Sequence, residues 1–144
     1  MLKFAFLANL TSTIFMCGVI WIVQLVHYPL FAKVGSELFR EYHGDHNTLI
    51  SLVVVPAMLI ELGASAFFIF DRPESVTSVE AWIGLGLVLL AWGSTFFLSV
   101  PAHNLLVGGF DAQAHSTLVQ TNWVRTFAWT AHSIVLLLPV YRLL

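Results

Sequence analysis

Four long, almost wholly apolar runs, at residues 4–28, 48–70, 81–100 and 123–141, constrain this chain more than any other feature of its sequence. A helix needs about 20 apolar residues to cross the hydrocarbon core of a bilayer. In lipid every backbone N–H and C=O must find its partner inside its own segment or a closed barrel, so each run is predicted to be a transmembrane helix. The predicted fold class is therefore all-α, an integral membrane four-helix bundle forming one domain over residues 1–144. Charged residues make up only 10% of the chain and mean hydropathy is +0.86, whereas about a quarter of a soluble protein is charged. Six Lys and Arg with a net charge of −2 cannot neutralise a run of phosphates, which excludes nucleic acid as a partner. The single cysteine, Cys17, lies in an apolar stretch and rules out an intrachain disulfide.

The first run follows Lys3 but is long and holds no clear small-x-small cleavage site, so it is read as a retained helix. The polar "DRPESVTSVE" segment (71–80) connects spans two and three. The segments 29–47 and 101–122 are longer and half apolar, with room for short interfacial helices. Pro29 and Pro101 are expected to end spans one and three, since proline disfavours helical geometry in the residue before it. Following the chain through the bilayer puts both longer connections on one surface, here side A, and both termini on side B. Five of the six histidines, His27, His43, His46, His103 and His115, then share side A. Lys and Arg are evenly split between the two sides, so the positive-inside rule decides little. The short N-terminal lead with its free amine favours both termini inside, and side A periplasmic.

Several spacings point to metal chemistry. His43 and His46 form H-x-x-H, which on a helix puts two imidazoles on one face. Asp111 and His115, in "DAQAH", have the i,i+4 spacing that sets a carboxylate beside an imidazole. His27 and His103 close spans one and three and are the candidates for bis-His haem ligation from two helices. The alternative makes these histidines interfacial hydrogen bonders within an aromatic belt of Trp21, Tyr28, Tyr42 and Trp123. A non-haem centre fits the surplus of ligands better than haem, which takes one or two.

The interior polar residues point further. Glu61 stands inside "VVVPAMLIELGASAFF", at a depth where a carboxylate usually marks function or a specific partner. At 1.5 Å per residue His132 lies roughly 16 Å and Glu61 roughly 20 Å from side A, depths that permit a hydrogen bond between them. That pair is either a packing contact or a proton relay. Arg125, Trp129 and His132 are spaced four and three apart on one stripe of span four. Arg125, a turn below side A, is either an interfacial anchor or the group that binds an anionic substrate or a haem propionate.

The blocks "WIVQLVHYPLFAKVG", "FREYHGDH", "VPAHNLLVGGFDAQAH" and "LVQTNWVRTFAWTAH" resemble a group of small bacterial four-helix integral membrane proteins over about Trp21 to His132. That resemblance implies a multi-pass bacterial inner-membrane protein and no particular activity. More loosely, the chain is similar to haem-binding protoporphyrinogen oxidase, to the copper-resistance CopD type and to anthrone-oxygenase-like membrane families. The haem-binding type shows W-x-x-G, then an arginine and a Tyr-His pair at the end of span one. Here Trp21 is followed by Gln24 and by His27-Tyr28 in reversed order, so no haem ligand is carried over.

Together these features lead to the expectation of a metal-dependent, oxygenase-like oxidoreductase acting on a lipophilic substrate at side A. The expected metal ligands are His27, His43, His46, His103, Asp111 and His115, with Glu61, His132 and Arg125 as catalytic residues and His27 and His103 as cofactor ligands. Iron, copper or zinc suits imidazole with carboxylate, with haem as the alternative cofactor. Expected partners are membrane lipid, a lipophilic small molecule and further copies of the chain. The rival expectation is a non-catalytic metal- or haem-binding membrane protein, a small transporter or a subunit of a larger complex.

Overall fold

A computed structural model describes residues 1–144 and contains helices but no strands. Four helices are long and apolar enough to cross a membrane: α1 (Leu2–Phe31), α2 (Phe39–Phe70), α3 (Ser78–Leu106) and α4 (Ala112–Tyr141). The protein is thus a multi-pass integral membrane bundle. Each helix packs against its neighbour in sequence, and α4 returns against α1 to close the ring. The outward faces carry large apolar side chains in the open, among them Leu7, Leu52, Trp82, Phe97 and Phe127. Water would not tolerate so continuous an apolar surface, but lipid does. Of all the Lys, Arg, Asp and Glu residues only Glu61 and Arg125 are buried.

Local chemistry sets the helix ends. Thr77 and Glu80 form a reciprocal capping box at the start of α3: Thr77 Oγ1 accepts from the Glu80 N–H and Glu80 Oε2 accepts from the Thr77 N–H. Asp111 caps α4, its Oδ1 accepting from the Ala114 N–H at 2.7 Å. Arg142, at the end of α4, pairs with Glu80 and so ties the side B ends of α3 and α4.

The helices run further than the apolar runs. Span one continues through Pro29 to Phe31 and span three continues through Pro101 to Leu106. Proline removes an i→i−4 hydrogen bond and crowds the carbonyl four residues back. Both helices solve this in one way, with a π turn just before the proline, at Val23–His27 and Thr95–Ser99. The Tyr28 N–H reaches back to the Val23 carbonyl and the Val100 N–H to the Thr95 carbonyl, five residues each. The extra residue in each turn lets helix persist and carry His27, Tyr28 and His103 onto the ends of α1 and α3. Likewise, residues 39–47 are not a separate interfacial helix but the first turns of α2, which passes unbroken through Gly44 and Pro56.

Candidate functional site: a histidine cluster above an apolar chamber

On α2, Phe39, His43 and His46 are buried while Glu41 and Asp45 are exposed. Offsets of four and seven residues lie on one helical face, and offsets of two and six point away from it. The buried stripe meets His27 on α1 and His103 on α3. His27 Nε2 lies 2.7 Å from His46 Nδ1, and His43 Nε2 lies 3.0 Å from His103 Nδ1. The two pairs are themselves in contact, with the His46 and His103 rings 5.7 Å apart and inclined by 28°. Four imidazoles from three helices therefore form one cluster. Phe31 and Phe39 wall it, each within 6.1 Å of the other and against the His43 ring. His46 Nε2 is buried without a hydrogen-bond partner. No three His, Cys, Asp or Glu side chains already surround one common metal position, because the rings turn their nitrogens towards one another in pairs.

Arg125 lies below the cluster and is linked to it through Tyr28. A guanidinium only donates. Arg125 Nη2 donates to Tyr28 Oη at 3.2 Å and to Asn122 Oδ1. Tyr28 Oη in turn lies 3.0 Å from His103 Nε2. Tyr28 Oη accepts from Arg125 and can either donate to His103 Nε2 or accept from His103 Nε2–H, and His103 Nδ1 then respectively donates to or accepts from His43 Nε2. Gln24 holds this arrangement from behind: its Oε1 accepts from Asn122 Nδ2 at 2.8 Å and its Nε2 donates to the Val119 carbonyl at 3.2 Å.

Between the four helices, on the midplane side of the cluster, lies a chamber of about 310 Å³. Its wall is mainly apolar, and Tyr28, His103 and Arg125 supply the polar end while Trp129 separates it from the deeper residues. The exposed lining residues, among them Val55, Phe96 and Val100, all come from α2 and α3. The chamber thus opens sideways between those two helices, towards lipid.

Beneath Trp129 sits Glu61, fully buried. Its carboxylate accepts from Trp129 Nε1 at 2.8 Å, from Thr13 Oγ1 at 2.9 Å and from His132 Nδ1 at 2.8 Å. The depth arithmetic that pairs Glu61 with His132 is met by this contact. The network extends towards side B through Asn9 and Ser65, which hydrogen-bond at 3.2 Å. His132 Nε2 has no partner and faces Gly84, where an added Cβ would stand 3.0 Å from it. Gly84→Val is therefore expected to destabilise the bundle by about 1–3 kcal/mol and to lower its melting temperature in detergent. Gly86→Ala, with nothing within 4 Å of its added Cβ, is the control that should melt like the parent.

Two predicted ligands are engaged elsewhere. Asp111 caps α4, as described, and is exposed. His115 Nε2 lies 2.8 Å from the Tyr28 carbonyl, one of the last carbonyls of α1, and satisfies it from α4. Neither side chain joins the four-imidazole cluster in hydrogen bonding. Conversely, Tyr28, read from the sequence only as part of an aromatic belt, and Gln24, Asn122 and Thr13 were not among the expected site residues. The signal for them was available: in an apolar α1 the polar residues Asn9, Thr13 and Gln24 recur at helical spacing, and all three are buried. No family model, no curated protein and no solved structure matches this chain.

Proposed function

We propose that this protein is a metal-dependent oxidoreductase of the bacterial inner membrane, with His27, His43, His46 and His103 as metal ligands and the chamber as the site of a lipophilic substrate. The carrying observation is the convergence of four imidazoles from α1, α2 and α3, of which His43 and His46 are buried and His46 has an unpartnered ring nitrogen. Nitrogen ligands sit at about 2.0–2.1 Å from a metal such as zinc, which spaces neighbouring ligand atoms about 3 Å apart. The paired nitrogens stand 2.7 and 3.0 Å apart, close to the spacing of two nitrogens bound to one ion. Imidazole suits iron, copper and zinc alike. A bound iron or copper would supply a centre that accepts or donates single electrons.

The chain's own residues perform the remaining tasks. With a metal at His103 Nδ1, the Tyr28 hydroxyl oxygen would accept from His103 Nε2–H, as outer-sphere partners do for metal-bound histidines. Phe31 and Phe39 pack against His43 and shield that side of the cluster. The opening between α2 and α3 admits substrate from the bilayer. Glu61 and His132, separated from the chamber by Trp129, are placed to hold or move a proton.

The test is elemental analysis with an absorption spectrum on protein purified in mild detergent. About one transition-metal ion per chain is expected, and the same spectrum reads haem. Protein that carries neither, and takes up neither when reconstituted with iron, copper or zinc, sinks the proposal. A second reading, a small transporter or metal carrier, draws on the polar residues Asn9, Thr13 and Ser65, which extend the Glu61–His132 pair towards side B.

A further inference from the structure

We infer that the chamber binds a lipophilic carboxylate, an apolar body with one ionised carboxyl group, and that Arg125 grips that group beside the histidine cluster. The inference deepens the reading of the chamber as a substrate site but does not depend on the metal.

Arg125 lacks a counter-charge. Arg125 is 8% exposed, and a buried guanidinium is costly unless paired and hydrogen-bonded. The ion pairs of the structure join Glu61 with His132 and Glu80 with Arg142, so no carboxylate of the protein answers Arg125. Its acceptors are neutral: Asn122 Oδ1 and Tyr28 Oη. Its Nε–H has no acceptor at all.

Two further residues of the lining each hold a buried polar atom without a partner. Trp92 Nε1 and Ser99 Oγ are unsatisfied, and Trp92, Ser99 and Arg125 all line the chamber. An indole N–H only donates, a guanidinium only donates and a hydroxyl donates readily. A buried guanidinium in the lining with no carboxylate partner calls for a ligand that brings acceptor oxygens to it. A single guanidinium with no second cation in the lining matches a monoanion, and its planar fork matches a carboxylate.

Size and access define the remainder of the molecule. A volume of about 310 Å³ is at the lower end of small-molecule sites, which run from about 300 to 1,000 Å³. That suits one short acyl chain or a ring system rather than a two-chain lipid. The sideways opening between α2 and α3 suits a ligand that partitions into the bilayer first. Once bound, its carboxylate lies at Arg125, which Tyr28 links to His103 through contacts of 3.2 and 3.0 Å. The apolar body then extends along Met16, Val54 and Met58.

The test is quenching of tryptophan fluorescence, since Trp92 and Trp129 line the chamber. The full chain in neutral detergent is titrated with 10-bromodecanoate and, separately, with its methyl ester. Saturable quenching by the acid is expected, weakened about 30-fold or more in Arg125→Gln, while the ester quenches weakly and equally in both proteins. Val54→Trp, which fills the chamber and leaves Arg125 in place, is expected to abolish saturable quenching by the acid. Helical circular dichroism unchanged from the parent, read on each variant, shows that neither loss of binding is a folding defect. Equal affinity for acid and ester, equal affinity in parent and Arg125→Gln, or unsaturable partitioning alone would overturn the inference. Metal analysis on the same samples separates the two readings. Metal without Arg125-dependent binding defeats only the carboxylate, and Arg125-dependent binding without metal defeats only the oxidoreductase.

Discussion

Glu61→Ala should unfold this bundle more readily than any other single truncation of a polar side chain, at a cost of about 3–5 kcal/mol. The carboxylate is fully buried and joins three helices, through Thr13 of α1, its own α2, and Trp129 and His132 of α4. Removing it leaves an indole N–H, a hydroxyl and an imidazole N–H facing a void in a place that water does not reach. Each such group costs about 1–3 kcal/mol when left unsatisfied, partly offset by side-chain relaxation. Glu61→Gln should be far milder. Its amide oxygen can face Trp129 while its NH₂ donates to His132 Nδ1, provided the imidazole shifts its proton to Nε2. Thermal unfolding in detergent reads the difference: a large drop in melting temperature for the alanine variant and a small one for the glutamine variant. Should both melt like the parent, Glu61 does not anchor the helices. The glutamine variant also separates the two functional readings. A transporter reconstituted in liposomes should lose metal flux yet keep bound metal, whereas an enzyme shows no flux to lose.

The second large effect contrasts two histidines that the sequence treats alike. His46→Ala is expected to weaken metal binding by about 100-fold or more, since even outer-sphere substitutions cost 10–100-fold. His46 contacts His27 through Nδ1 and holds a buried, unpartnered Nε2. His115→Ala should leave metal content unchanged and cost about 1 kcal/mol of stability, because its contact is with the Tyr28 carbonyl. Metal-to-protein ratio after dialysis, measured on both variants side by side, checks this. Equal metal loss from the two would mean that His115 belongs to the ligand set and that the paired geometry misleads.

Much of the architecture is legible in the chain because bilayer physics leaves few choices. Long apolar runs must be helices, short polar connections force antiparallel neighbours, and counting residues from one surface sets depth. That arithmetic is enough to place Glu61 level with His132, and to bring His27, His43, His46 and His103 to one surface. The helix limits were less legible. Residues 39–47 are charged and contain Gly44, so they read as a loop, although their buried stripe of Phe39, His43 and His46 has helical spacing. Pro29 and Pro101 read as stops because a sequence does not announce the π turns that accommodate them. Asp111 and His115 carry a ligand-like spacing, but a helix cap and a neighbouring carbonyl compete for the same atoms.

The sequence by itself determined the solvent, the number of crossings and the surface on which the imidazoles gather, since hydropathy and chain connectivity act locally and in order. Only the tertiary structure decided which nitrogens pair, that Tyr28 bridges Arg125 to His103, and that Arg125 has no carboxylate partner. Those outcomes depend on how each helix is rotated about its own axis. Rotation is set by side chains packing from all four helices at once, and no single stretch of the chain contains that information.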